Sequence, residues 1–362
     1  MYNDEMVAKY KELQTKENVI ILAIESSCDE TSVAILRNGH EVLSNIVSSQ
    51  IEIHKRFGGV VPEIASRNHL LAIDNVVQEA LSVANIKLSD LDAIAVTFGA
   101  GLVGALMVGV TFAKTLAYAL NIPLIKINHI KAHVSANYIE HPELKPPFMS
   151  LVVSGGHSAI VRVDNYLTNT LIGSTIDDAV GEVMDKVSKV LGLGYPGGPI
   201  IDKTAKLGQH TITFIPHKIM SDSYNFSFSG LKTAVINYVH KIKQSGGELN
   251  IPDICCSFQD EAVDMLVEKS IKATLDYGFK VLTVAGGVSA NSLLRAKLTA
   301  EGEKHGITVI FPPMKYCTDN GAMVASEAYY NLRENAGLAD INVCATPNLN
   351  LKYTIGVKTK EC

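Results

Sequence analysis

His129 and His133 stand four residues apart in "NHIKAH", so on a helix both imidazoles leave one face. Two nitrogens at that spacing can share a metal ion, and a third ligand is then required. Asp319, in "CTDNGAM" just ahead of an expected helix, is the best candidate carboxylate. Two histidines and one carboxylate leave coordination positions open, a set suited to Fe(II) or Zn(II). The pattern is not that of a zinc metalloprotease, because Ile130 stands where H-E-x-x-H places its general base.

A second group of residues suits a phosphate. Three small-residue turns follow apolar runs: "ESSCDET" (25–31), "SGGHS" (154–158) and "AGGVSAN" (285–291). Backbone amides can approach a phosphate closely only where no side chain intervenes, and a helix starting after the turn adds a favourable dipole. Any one of these turns could serve tight folding alone; three in repeated context favour a nucleotide cradle. A fourth glycine cluster, "TFGAGLVGALMVG" (97–109), matches G-x-G-x-x-G through Gly99, Gly101 and Gly104. A dinucleotide site would need an acidic residue about 20 positions on, and "PLIKIN" ends without one. Gly192, Gly194 and Gly197 also fit the pattern, but they follow a helix and include Pro196. With no G-x-x-x-x-G-K-[ST] stretch either, nicotinamide and Walker-type chemistry are set aside.

These residues must be positioned by a repeated programme. "VIILAIESS", "TSVAIL" and "EVLSNIVSS" read as three successive strands, with Asn38-Gly39 turning the second into the third. A helix follows from Pro62 to about 84, with Ile64, Leu71, Val77 and Leu81 expected on its inner face. The 93–113 stretch carries no charge and is long enough to span a bilayer, but its glycines divide it into strand, turn and helix. After Pro146-Pro147 the programme restarts: "FMSLVVSGGHSAIVRV" is strand, turn, strand, and "TLIGSTI" a third strand. Next comes the helix "DDAVGEVMDKVSKVLG", with Val180, Val183, Met184, Val187 and Leu191 on one side. Hairpin-first halves are not the βαβ opening of a dinucleotide domain. The expected fold class is α/β, a duplicated actin/Hsp70/sugar-kinase-like architecture of two lobes around a nucleotide cleft.

Composition narrows the setting. A 362-residue chain that is 47% hydrophobic supports two packed domains. The net charge of −5 gives no global basic field, so a nucleic-acid partner would need a local patch or a helper protein. The six cysteines form no C-x-x-C pair, which suits a reducing, cytoplasmic setting. "MYNDEMVAKYKELQTKEN" has no apolar core and does not read as a secretory signal. "HKRF" (54–57) with Arg67, and Lys203 with Lys206, are candidate basic patches.

Taken together, "AIESSCDETSVAI", "FGGVVPEIASRNH", "NHIKAH", "VVSGGHS", "IDDAVGEVMDKVSKVLGLGYPGGP", "FSFSGLKTA", "AGGVSAN" and "CTDNGAM" resemble the tRNA N6-adenosine threonylcarbamoyltransferase family, formerly called glycoproteases, in its bacterial form. The resemblance implies transfer of a threonylcarbamoyl group from threonylcarbamoyl-AMP to N6 of adenosine 37, in tRNAs reading codons that begin with A. It implies that His129, His133 and Asp319 bind iron, and that Val152, Val153, Ser154, Gly155, Gly156, Asp185, Gly198, Asp202 and Asn291 contact the adenylate. Read without it, Asp185 fits a solvated helix face and Asn291 a helix cap. No general base is evident; His157 is a candidate, with a satisfied turn histidine as the alternative reading. The implied partners are tRNA, a TsaB-like paralogue docking on the first half, with the 62–84 helix as the docking face, and a TsaE-like ATPase; no membrane is involved. An actin-fold kinase and a non-catalytic nucleotide-binding scaffold remain the alternatives.

Two positions depart from the family's usual sequence. Ala100 replaces a proline, which would loosen its turn, and Lys131 with Ala132 replaces Glu and Gly, which would bring positive charge beside the metal. The expected organisation is an N-terminal extension over 1–18, a first lobe over 19–128, a metal-site helix and linker over 129–148, a second lobe over 149–335 and a tail over 336–362.

Overall fold

The computed structural model describes residues 2–215 and 223–349. After helix α1 (Tyr2–Leu13), the first half runs β1 (Ile20–Glu25), β2 (Glu30–Arg37), β3 (Glu41–Ser49), the short α2 (Ile51–His54), α3 (Pro62–Ala84), β4 (Ala93–Gly99), α4 (Val103–Leu120) and β5 (Leu124–Asn128). Helix α5 (His129–Glu140) leads into the second half: β6 (Phe148–Val153), β7 (Ser158–Val163), β8 (Asn169–Ser174), α6 (Val180–Val190), α7 (Gly197–Ala205), α8 (Ser229–Gln244), α9 (Ile251–Asp276), β9 (Val281–Ala285), α10 (Ser292–His305) and β10 (Thr308–Ile310). Helix α11 (Gly321–Arg333) follows.

The two sheets repeat one topology. The first has the order β3-β2-β1-β4-β5, and the second, read from its other edge, β8-β7-β6-β9-β10. In each, two hairpin connections give antiparallel pairs and two crossovers give parallel ones. The central strands are buried on both faces, which explains their unbroken apolar runs. Helices α3 and α4 cover one face of the first sheet, while α6 to α10 cover the outer face of the second.

Helix α5 lies between the sheets. Every residue from His129 to Ile139 is buried. Ala132, Ala136 and Ile139 join the core of the first sheet, and Ile130, Val134 and Tyr138 that of the second. A helix enclosed on all sides needs no polar stripe, so periodicity gives no sign of this one's place. α11 packs against α5 and against β1 and β2. The expected boundary at 335 assigned α11 to the second lobe, but its apolar face, Ala322, Met323, Ala325 and Ala328, belongs to the first sheet's core. Gly321 permits that approach, since a Cβ there would lie 2.5 Å from Ala34 N.

The inner face of α3 agrees with expectation at Val77, which is buried, and at Ile64 and Leu81, which are half-buried, but differs at Leu71. Ala65, His69, Ile73, Val76, Val77 and Ala80 are buried, whereas Leu70 and Leu71 are largely exposed. Among the described residues, α4 is a helix long and apolar enough to cross a membrane, yet Ala105, Leu106, Val110, Ala113 and Ala117 are buried. At the chain's start, Met6 and Tyr10 anchor α1, and the Tyr10 hydroxyl donates to Ala336 O. The segment 336–349 follows β5 and β4, with Lys126 N donating to Gly337 O and Thr346 N to Phe98 O. Residues 350–362 of the expected tail lie outside the described residues.

Candidate active site and metal centre

The start of α5 is fixed by Asn128 at the end of β5, whose side chain accepts the N–H groups of Ile130 and Lys131. That cap sets His129 and His133 on one face, with ring centroids 4.6 Å apart. Asp319 comes from the turn before α11. Asn320, next to it, caps α11 by accepting from Met323 N and donates to Thr318 O, which fixes the turn. Asp319 Oδ1 lies 3.1 Å from His133 Nε2 and 3.6 Å from His129 Nε2. One candidate ligand atom from each of the three falls within 4.8 Å of the others.

The donor set fits a metal. Both imidazoles are buried, while the Asp319 side chain is 19% exposed. Neither ring nitrogen of His133 makes a well-formed hydrogen bond, the condition of a buried group that expects another partner. Two nitrogens and one carboxylate oxygen converging there match a divalent first-row ion. Burial disfavours charge on Asp319, but the His129 and His133 imidazoles outweigh it and hold the carboxyl well below the usual range. Burial likewise lowers His129, while Asp319 and Glu25 together bring it up to about 9.

A cavity of about 660 Å³ opens beside this cluster. His129 and Asp319 form part of its wall, and His133 lies behind them. The three small-residue turns meet here: Ser27 to Glu30, Ser154 to His157, and Gly287 to Asn291. Gly155 and Gly156 face open space, with nothing within 4 Å of an added Cβ. Gly101, also in the wall, is tightly packed, at 2.5 Å from Ser27 O on the same measure. The Gly99–Gly104 glycines therefore serve a strand-to-helix turn in which Gly101 closes on the first hairpin, Gly99 on Thr346 O and Gly104 on Ser66 of α3.

Most residues expected at the adenylate line this cavity: Ser154, Gly155, Gly156, Asp185, Gly198, Asp202 and Asn291. Val152 and Val153 do not. Their side chains are fully buried in the cores on opposite faces of the second sheet. Asp185 is not on a solvated face: it accepts from Gly197 N, and burial raises it to about 6, with the nearby Asp29 charge contributing. Asp202 accepts from Gln259 and Ser292, and Asn291 caps α10 by accepting from Leu294 N. His157 faces the cavity, held down to about 4 by burial and by His129 and His133.

Sequence reasoning missed the carboxylates of the first hairpin. Glu25, Asp29 and Glu30 cluster beside the ligand set, and burial, followed by the Asp29 and Asp319 charges, pushes Glu30 up to about 10. The signal was present in "ESSCDET", an unusually acidic sequence for a turn expected to cradle phosphate.

Comparison with known proteins decides the family. The family model described as TsaD, tRNA N6-adenosine threonylcarbamoyltransferase, matches residues 41–326. The chain belongs to the tRNA N6-adenosine threonylcarbamoyltransferase family. A family member of Clostridioides difficile is 54% identical over 335 residues, 92% of this chain and 99% of the relative. One of Clostridium beijerinckii is 55% identical over 333 residues, 92% of this chain and 98% of the relative. Two solved structures show the same fold at low identity. Full-length HypF, in a phosphate- and nucleotide-bound form, matches at TM-score 0.59 and 12% identity, covering 87% of this chain and 46% of HypF. Component A of the Acidaminococcus fermentans (R)-2-hydroxyglutaryl-CoA dehydratase matches at TM-score 0.51 and 13% identity, covering 88% and 99%. Fold and repeated sheets agree with the two-lobed architecture expected from the sequence, and the chain is a transferase.

The departures from the usual sequence of threonylcarbamoyltransferases now have physical explanations. Lys131 does not approach the metal centre: two residues along a helix is about 200° of rotation, so it leaves the opposite face of α5 from His129 and His133. There its Nζ donates to Leu167 O at 2.5 Å, in a small pocket shared with Glu327 and Ser135. The turn at Ala100 is not loosened, for Gly101 N donates to Pro347 O at 3.1 Å and Leu102 N to Ser27 O at 2.7 Å. Of the two basic patches, "HKRF" loses His54 to the interior, Arg67 pairs with Glu63, and Lys206 pairs with Asp202.

Proposed function

We propose that the chain transfers a threonylcarbamoyl group from threonylcarbamoyl-AMP to N6 of adenosine 37 in tRNAs reading codons that begin with A. The observation that carries this reading is the convergence of His129, Asp319 and the open Ser154–Gly156 turn on one cavity between the halves. In the reaction the N6 nitrogen attacks the carbamoyl carbon and the bond from that carbon to the phosphate oxygen breaks. The amine sheds a proton as AMP leaves.

The donor is a mixed anhydride and already activated, so the protein's task is placement and charge stabilisation. Amides of Gly155 and Gly156 would donate to the leaving phosphate, and the open space around both glycines supports this. The Asp185 carboxyl has the chemistry to accept from ribose hydroxyls, and Asp202 and Asn291 shape the same wall through bonds they already make. His129, His133 and Asp319 would hold Fe(II), or Zn(II) in its place, which supplies Lewis-acid polarisation of the donor's oxygens when bound.

The partners in this reading are tRNA, a TsaB-like paralogue and a TsaE-like ATPase, in the cytoplasm. The described cysteines are all free, which supports that setting. Exposed Leu70 and Leu71 on α3, beside exposed Val103 and Met107 on α4, support docking of the paralogue on this face. The test is reconstitution from the purified chain, both partners, synthetic threonylcarbamoyl-adenylate and unmodified tRNA, read by nucleoside mass spectrometry. The modified adenosine is expected. Its absence from the complete mixture would reject the activity, and ATP-dependent phosphorylation of a small molecule instead would favour the kinase reading.

A further inference from the structure

Glu25 is the last residue of β1 and is fully buried. A carboxylate in that position needs donors, and it has three. Its Oε1 accepts from Ser27 N at 2.6 Å, and its Oε2 accepts from the Thr97 hydroxyl at 2.6 Å and lies 3.1 Å from His129 Nδ1. Thr97 sits on β4, the parallel neighbour of β1, so two strands and the first hairpin turn hold this one side chain.

We propose that Glu25 is a positioning residue of the metal centre, fixing the ring orientation and tautomer of His129 so that Nε2 is the metal-binding nitrogen. This rests on the metal reading of His129, His133 and Asp319. An ionised carboxylate only accepts hydrogen bonds, so Nδ1 must carry the hydrogen that faces it. A neutral imidazole protonated at Nδ1 has its lone pair on Nε2, the atom that faces Asp319. The Ser27 hydroxyl, 3.1 Å from the same Nδ1, also confines the ring. His133 has no comparable partner at Nδ1, and its Nε2 faces only Asp319. The two imidazoles are therefore unequal: Glu25 and Ser27 hold the orientation of the His129 ring before any ion arrives, and His133 completes the grip.

The experiment uses the full chain stripped of metal, with Co(II) as probe, followed by calorimetry and visible absorption. Glu25→Gln keeps the shape but places an amide N–H₂ either against Ser27 N or against both the Thr97 hydroxyl and His129 Nδ1. It is expected to weaken Co(II) binding 10- to 100-fold. Thr97→Val leaves the carboxylate in place and removes only its second donor, and is expected to cost a few-fold by the same logic. Where Glu25→Gln fails to fold, Zn(II)-loaded wild-type protein still decides the matter. Long-range proton–nitrogen correlation should show His129 with hydrogen on Nδ1 and metal on Nε2. Co(II) affinity of Glu25→Gln within about twofold of wild type, below the 10-fold floor for such contacts, or metal on His129 Nδ1, overturns the proposal. A His133→Ala chain that binds Co(II) as tightly as wild type rejects the ligand set itself, and the role of Glu25 falls with it.

Discussion

The turn between β1 and β2 and the turn between β6 and β7 occupy the same place in two sheets of the same order, yet they are built from opposite materials. The first is dense. Glu25 is bonded on every side, and His69 of α3 reaches in to bond Cys28 O at 2.9 Å and the Thr31 hydroxyl at 2.7 Å. The second is bare, with Gly155 and Gly156 opening onto the cavity and a single Ser154–His157 clasp closing the loop. Duplication preserved the topology and divided the work: one turn grips the protein's own ligand set, and the other leaves space for a visitor.

The largest expected effect comes from the gripping side. His133→Ala should abolish stoichiometric metal binding and lower transfer by ~100-fold or more, beyond the range typical of outer contacts. Metal analysis and the reconstituted assay check it, and full turnover without bound metal would break the division of labour. The second effect contrasts the two turns directly. Gly101→Ala forces a side chain into a backbone with φ +154° and into the Ser27 carbonyl, at a cost of about 1–3 kcal/mol in chemical denaturation. Gly155→Val should leave stability within about 1 kcal/mol, because nothing crowds its Cβ, yet weaken donor-analogue binding by about tenfold (~1.4 kcal/mol). The reverse pattern would sink the contrast.

A third effect sharpens the receiving side. Burial raises Asp185 to about 6 from its ordinary 3.8, so the folded protein holds the proton more tightly than the unfolded chain. Stability from this group is fully present below the ordinary value and falls as pH rises from about 4 to about 6, where the folded carboxyl ionises. Asp185→Asn should flatten that decline relative to wild type, measured as melting temperature against pH. An unchanged slope would mean that this wall of the cavity is wetter than its packing suggests. The smallest effect on the fold is expected at the outer surface. Leu71→Asp should change stability by no more than about 0.5 kcal/mol while abolishing co-purification with the TsaB-like paralogue. Undiminished association would move the docking face elsewhere.

The sequence made the repeated sheets legible, because alternating apolar runs and small-residue turns recur in order. The histidine pair was legible from its spacing, and the cavity glycines from their place after buried strands. Other features resisted for physical reasons. α3 buries small and polar residues, Ala65, His69 and Ala80, alongside the expected Val77, and exposes Leu71, so hydrophobicity alone found part of the inner face but misplaced Leu71. Lys131 was misplaced by counting nearness along the chain instead of rotation about the helix. The acidic turn "ESSCDET" signalled Glu25, but its role is recognisable only once its donors, from residues 27, 97 and 129, have been brought together.

Enclosure of α5 between the two sheets has a mechanical consequence. A motion that widened the cleft by turning about this helix would displace the mouth most and the helix least. A nucleotide could then enter and depart at the mouth while the imidazoles at the pivot keep their spacing, so that turnover need not loosen the ion.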